Sequence, residues 1–320
     1  MKTAFARTLE VLAKANEDIY LLTGDLGFGV FDRFRQLYPK RFVNVGVAEA
    51  NMIGVAAGLA LSGKTVYCYS IIPFLVMRPL ERIRVDLCYH NVKVNLVGVG
   101  GGLSYGLEGM THHAVEDVAI MRSLPNMTVV APGDPQEVIT LIGKSVEHEG
   151  PLYVRLGRSG EPHVYDDVPA LEIGKGIVIY EGSDITLIAT GTMLSVAKFA
   201  AEDLMKIGLD VRLISMHTIR PLDTELVRAC AIDSKAIFTV EEHSVNGGLG
   251  TAVAEVLLEF GYQGRFTKIG LPDQYCPHVG KGEYLRQQYN LTRESIVARI
   301  LIEYQKCPRA AIRDRVRQRK

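Results

Sequence analysis

The 320-residue chain has no excess of charge of either sign: 36 Lys and Arg stand against 36 Asp and Glu. That balance gives no support to a nucleic-acid or membrane-surface role, where a basic surplus is the usual footprint. No apolar run is long enough to span a bilayer, and no secretory n-region with a cleavage pattern opens the sequence. Five cysteines (Cys68, Cys88, Cys230, Cys276 and Cys307) are odd in number and form no Cys-x-x-Cys pair. A reduced, cytoplasmic protein is the economical expectation. No P-loop, solenoid-length repeat or low-complexity stretch is present. Residues 98–102 read G-x-G-G-G, short of the full dinucleotide fingerprint, and no acidic residue ends the next strand at the usual distance. The charge balance hides one asymmetry. Residues 308–320 hold five arginines and Lys320 against Asp314, a net +5, read first as a solvated basic tail.

What is present is ordinary for a soluble globular protein, with 48% hydrophobic and 22% charged residues over a length that allows two cores. Strands are expected at 19–22, 41–45, 65–69, 92–99, 128–131 and 152–156, with helices at 3–15, 74–89, 115–122 and 135–148 among them. The 92–99 run is mostly apolar, Lys93 and Asn95 apart, as when both faces of a parallel sheet are covered. Residues 157–174 mix Gly, Pro and Asp without period and form the candidate linker. A second alternation follows, with strands at 185–189, 211–215 and 236–240 and helices at 195–207, 223–231 and 250–260. The expected fold class is therefore α/β, as two doubly wound domains.

The stretch 46–60 organises this pattern. It runs from a strand into a helix rich in small residues (Ala48, Gly54, Ala57, Gly58) and carries one carboxylate, Glu49, beside Val47, Met52 and Ile53. A Glu in a first helical turn is favoured by the helix dipole. The sharper alternative is a buried carboxyl held ready to share a proton with a bound ring. Asp25, at the end of the first strand, is either a site-edge carboxylate or a turn residue. Adjacent His112 and His113 point in different directions and have no second ligand at metal spacing, which disfavours zinc. A His ending a glycine loop and donating to a polar or anionic ligand fits better. Ser104, His112 and Asp117 lie close in sequence, but no nucleophile elbow surrounds Ser104. Residues 247–250 open a helix with three glycines, to receive an anion or to pack closely on a strand.

Gly46-Val47-Ala48-Glu49, the loop ending Gly109-Met110-Thr111-His112-His113, Leu124-Pro125-Asn126-Met127, Pro132-Gly133-Asp134 and Arg155-Leu156-Gly157-Arg158 follow one another in order. So do Thr218-Ile219-Arg220-Pro221-Leu222-Asp223, Glu241-Glu242-His243 and Gly247-Gly248-Leu249-Gly250. Together they resemble the thiamine-diphosphate-dependent transketolase family, specifically its half-length, separately encoded C-terminal subunit. The resemblance covers all but the basic tail. It implies a pyrimidine-binding domain at 1–160, a linker at 161–174, a transketolase C-terminal-like domain at 175–307 and the tail at 308–320.

By that resemblance, Glu49 would hydrogen-bond the aminopyrimidine of thiamine diphosphate and promote formation of the ylide that attacks a ketose. Phe74 would stack on the aminopyrimidine, and His112 would lie near the diphosphate and the reacting carbon. Arg158 would contact a substrate phosphate, with Glu108 standing where a hydroxyl-reading Asp is usual. The reaction implied is transfer of a two-carbon ketol unit from a ketose, free or phosphorylated, to an aldose.

The family's Gly-Asp-Gly motif and later Asn, which hold the diphosphate and Mg²⁺, are absent from the sequence. A partner N-terminal subunit, most simply two of each chain, is therefore implied. Gly100 replaces a second substrate His, Gly29 falls near a phosphate-contacting Ser, and Met110 replaces a usual Pro. These glycines are expected to leave room for a modified or bulkier sugar. The rivals are the β subunit of a 2-oxo acid dehydrogenase, a 1-deoxyxylulose-5-phosphate synthase-like enzyme and a non-catalytic stabilising subunit.

Overall fold

Apolar runs without polar alternation become strands covered on both faces, and this chain has two sets of them. The structure, a computed structural model, describes residues 1–158 and 160–307; the basic tail lies outside the described residues. The strands are β1 (Ile19–Thr23), β2 (Phe42–Asn44), β3 (Thr65–Ile71), β4 (Val94–Val99), β5 (Thr128–Val130) and β6 (Leu152–Leu156). They continue with β7 (Ile177–Tyr180), β8 (Ile185–Ala189), β9 (Val211–Ser215), β10 (Thr218–Arg220), β11 (Ala236–Ser244) and β12 (Arg265–Leu271). The first sheet has the order β10-β5-β6-β4-β3-β1-β2 and the second β12-β11-β8-β9-β7. Both are parallel except at one edge, where β10 runs against β5 and β7 against β9. The protein is an α/β fold of two doubly wound domains.

In the first sheet the chain steps from β1 to one side, then returns to place β3 on the other. A crevice opens at the carboxyl ends of strands where the winding reverses, and ligands of such sheets bind there. The central strands β3 and β4 of the first sheet and β8 of the second are buried along their whole length.

The two sheets are joined by polar links as well as apolar ones. β10, from the second half of the chain, adds itself to the edge of the first sheet. Arg155, at 4% exposure on β6, donates to both Asp117 oxygens (2.8 and 3.4 Å) and to Ala114 O (2.7 Å). Its reach also extends to Glu242 O on β11, at 3.0 Å. Glu242 accepts a two-pronged contact from Arg286 at 2.8 and 3.0 Å and a bond from Thr192 at 2.9 Å.

One expected element differs. The helix expected over 74–89 is three pieces, Ile72–Val76, Leu80–Arg82 and a wider-turned segment Ile83–Tyr89. Pro79 has no N–H to continue the first piece, so the chain turns at Met77–Arg78 before helix resumes.

Candidate functional site

Glu49 begins the helix Glu49–Leu61 that follows β2, and the crevice beside β1 and β3 closes round its carboxylate. It is 2% exposed. Ser70, on β3, donates to its Oε1 at 3.2 Å, and Arg78 donates to its Oε2 at 3.1 Å. Gly24, just after β1, makes the space: a Cβ there would stand 3.3 Å from Oε1. Met52 and Ile53 are buried beside it, but Val47 points away at 72% exposure. Of the small residues, Gly54 faces the Arg82 guanidinium and Gly58 faces open space.

The other expected site residues come from the segments that follow β3, β4 and β6, Phe74 from the short helix Ile72–Val76, and they touch in series. The Arg78 guanidinium lies 4.3 Å from the centre of the Phe74 ring while holding Glu49. Phe74 meets the His112 ring edge-to-face at 5.1 Å, and His112 lies 6.1 Å from the Tyr105 ring. Arg158 stacks over Tyr105 at 4.5 Å and pairs with Glu108 at 3.4 Å. Glu49, Phe74, His112, Glu108 and Arg158 therefore form one chain of contacts, with Arg78 and Tyr105 as its two connecting links.

Sequence reasoning misses those two links. Arg78 lies four residues beyond Phe74, a spacing that puts two side chains on one helical face, and that signal could have found it. Tyr105 is the one aromatic side chain in the glycine loop, but nothing local says where its ring points. Its phenol is pushed up by burial, an effect the nearby Arg158 charge opposes.

Gly100 corrects an expectation. Its φ is +92°, a region open chiefly to glycine, and a Cβ there would overlap the edge of the Tyr105 ring, 2.1 Å from Cδ2. The missing side chain is therefore replaced by Tyr105 and leaves no vacant room. Gly29, by contrast, has nothing within 4 Å of such a Cβ.

Other candidates separate. Asp117 is buried against Arg155 and Tyr153, and the Ser104 hydroxyl donates to Gly101 O at 2.6 Å, so no triad forms with His112. Asp25, with φ +57°, exchanges hydrogen bonds with Asn44 at 2.9 and 3.0 Å as a turn residue does. His112 Nδ1 lies 3.0 Å from the Thr111 hydroxyl. Burial lowers the proton affinity of His113, and neither of its ring nitrogens has a partner among the described residues. The helix Leu249–Phe260 does receive an anion at its N-terminus, but it is the chain's own. Glu241 accepts from the Leu249 and Gly250 amides at 2.7 Å each, and burial still pushes its carboxyl up to about 7. No group of three or more His, Cys, Asp or Glu among the described residues is arranged to hold a metal ion. No helix among them is long and apolar enough to cross a membrane.

Residues 1–162 match the family "Transketolase, pyrimidine binding domain", and residues 174–296 match "Transketolase, C-terminal domain". The chain belongs to the transketolase family. A putative transketolase C-terminal section of Methanocaldococcus jannaschii is 38% identical over 309 residues, 96% of either chain. A subunit of the apulose-4-phosphate transketolase of Phocaeicola vulgatus is 38% identical over 92% of this chain and 94% of its own. A solved structure described as a split gene transketolase, inactive beta4 tetramer, superimposes with a TM-score of 0.87 at 38% identity, covering 95% of this chain and 97% of that one. Within the transketolase family, the chain corresponds to the separately encoded C-terminal section.

Proposed function

We propose that this chain is the pyrimidine-domain subunit of a split transketolase, transferring a two-carbon ketol unit from a ketose to an aldose with thiamine diphosphate. The observation that carries the reading is the buried Glu49 carboxylate beside the Phe74 ring, in the crevice where the sheet reverses. A carboxylate that accepts N–H donors next to an aromatic face suits an aminopyrimidine. The present occupant of both contacts, the planar Arg78 cation, supports that fit. When bound, the cofactor supplies the electron sink for the two-carbon fragment.

The residues then divide the work. Glu49 hydrogen-bonds a ring nitrogen and holds the proton that must move, while Phe74 covers the ring face. His112 stands beside them as a donor to the sugar oxygen at the reacting carbon. Glu108 reads sugar hydroxyls, and the Arg158 fork takes a substrate phosphate. Ligands for the diphosphate and Mg²⁺ are assigned to a partner subunit, most simply in a complex of two of each chain. Phe28, Val47, Leu107 and Met110 stand exposed on the loops at this same face, which supports closure by another chain. The structural relative, an inactive beta4 tetramer, supports the view that C-terminal sections associate without turning over.

The experiment is to mix the chain with a partner carrying the Gly-Asp-Gly and Asn pair and assay ketol transfer from candidate ketoses. A larger species with thiamine-dependent activity is expected, and full activity from the single chain would overturn the split site. In the complex, Glu49→Gln should lower turnover by about 10²–10⁴-fold, with modest loss of cofactor affinity. Exchange at the cofactor's C2 proceeding at the wild-type rate in that variant would reduce Glu49 to a helix-start residue. An inactive complex for every ketose tried, with the cofactor bound, would favour the stabilising-subunit rival.

A further inference from the structure

Arg78 makes two contacts at once that the proposed function assigns to something else. Its Nη1 donates to Glu49 Oε2 at 3.1 Å, and its guanidinium carbon stands 4.3 Å from the centre of the Phe74 ring. We propose that Arg78 is a resident stand-in for the aminopyrimidine, filling that place in the lone chain and swinging out when the cofactor enters.

The chemistry of the two groups matches. A guanidinium is flat and presents an N–H donor to the carboxylate, and an aminopyrimidine is flat too, with a ring nitrogen that presents an N–H there when it carries the proton shared with Glu49. Each can lay a face on Phe74 and an edge on a carboxylate. The two would compete, because the cofactor needs the carboxylate and the ring face that Arg78 now covers.

The setting suits a group built to leave. Glu49 is 2% exposed, so a carboxylate there without a partner is costly, and Arg78 supplies a charge while no ligand is bound. Arg78 itself is 49% exposed and sits in the turn between two helical pieces, broken at Pro79. Its side chain can move into solvent without dismantling a helix. Ser70, on β3, keeps its bond to Oε1 throughout and holds the carboxylate in place during the exchange. Cofactor entry then becomes a displacement, and affinity falls to its intrinsic value times the fraction of molecules in which Arg78 is already out.

The inference rests on the proposed function, and two measurements separate the two ideas. In the complex with its partner, thiamine diphosphate affinity is measured by titration for wild type and Arg78→Ala. The variant should bind about five- to fiftyfold tighter, the factor by which the open fraction rises. Binding within twofold of wild type, or weaker, overturns the stand-in role. The second measurement uses the chain alone and needs no cofactor. Arg78→Ala should melt at a lower temperature, and millimolar methylguanidinium or 4-aminopyrimidine should restore it, with no comparable rise in wild type. Equal shifts in both, or none in the variant, overturn the proposal. If wild-type complex fails to bind thiamine diphosphate, the proposed function falls, and the lone-chain rescue still decides whether this cradle takes a planar amidine. Should Arg78→Ala not fold, Arg78→Lys keeps a charge for Glu49 but loses the flat face. It should show a smaller gain in cofactor affinity, and no gain counts against the proposal.

Discussion

Arg158→Ala tests whether this chain reads a substrate phosphate. The guanidinium is 39% exposed, stacked on Tyr105 at 4.5 Å and 3.4 Å from Glu108, itself 33% exposed. An ion pair between groups so open to water is worth only about 0.2–1 kcal/mol, so it does not lock the arginine. A phosphate dianion offers charge-assisted hydrogen bonds worth about 1.5–3 kcal/mol and should win the fork from Glu108. Removing the guanidinium should therefore cut kcat/KM for a phosphorylated ketose by roughly 10–150-fold and leave the unphosphorylated sugar nearly unchanged. Glu108→Gln removes the competitor and should strengthen phosphate recognition, by up to about fivefold, unless lost hydroxyl contacts mask it. Matched sugars with and without phosphate, assayed in the complex at fixed ionic strength, give both ratios. A phosphate preference near a thousandfold that survives Arg158→Ala would refute the reasoning and assign the phosphate to the partner chain.

Three further outcomes follow from the geometry. Arg155→Met should cost about 3–5 kcal/mol in a urea titration, because Asp117 is left buried with only Tyr153 donating to it, and the Ala114 and Glu242 carbonyls lose the Arg155 donor, Ala114 O keeping the Gly102 amide. Gly100→Ala should lower activity as well as stability, since the new methyl meets the Tyr105 ring at a φ of +92°; a fully active, equally stable variant would show that the ring moves freely. His217 is held down to about 4 by burial against an ordinary 6.5, so below 6.5 the unfolded chain takes a proton that the folded chain refuses. Its contribution to stability is intact above 6.5 and is lost as pH falls toward 4, about 2 kcal/mol by pH 5. His217→Asn should therefore lose less stability than wild type between about pH 7.5 and 5 in denaturant titrations.

The sequence is most legible where burial is two-sided. β3, β4 and β8 are buried along their length and mostly apolar because helices cover both faces of a parallel sheet, and that demand leaves little freedom of composition. β10 is illegible for the opposite reason. It is three residues long, and its partner β5 lies far off in sequence, so only tertiary packing makes it a strand. The site divides the same way. Glu49, Phe74, His112 and Arg158 are named through the family resemblance, and the fold gathers them because each lies beyond a strand end and strand ends in a parallel sheet converge on one edge. What joins them cannot be named, because it depends on side-chain direction. Arg78 reaches back over Phe74 to Glu49, and Tyr105 turns in toward Gly100.

Gly100 shows the same limit most sharply. Read as a letter, it is a lost histidine and a gain of space. In the fold, its positive φ lets the loop curl so that Tyr105 fills the volume, stacks on Arg158 and lies beside His112. A close-packed protein leaves few voids where a side chain is deleted; a neighbour usually moves in. Against the histidine that the resemblance implies there, Tyr105 would replace an imidazole that can donate with a ring whose edge meets Gly100. A substrate group that needs a donor at that point would then lose one, while the Arg158 guanidinium lies stacked on the Tyr105 ring. Any altered sugar preference should follow from that exchange of polarity, not from added room.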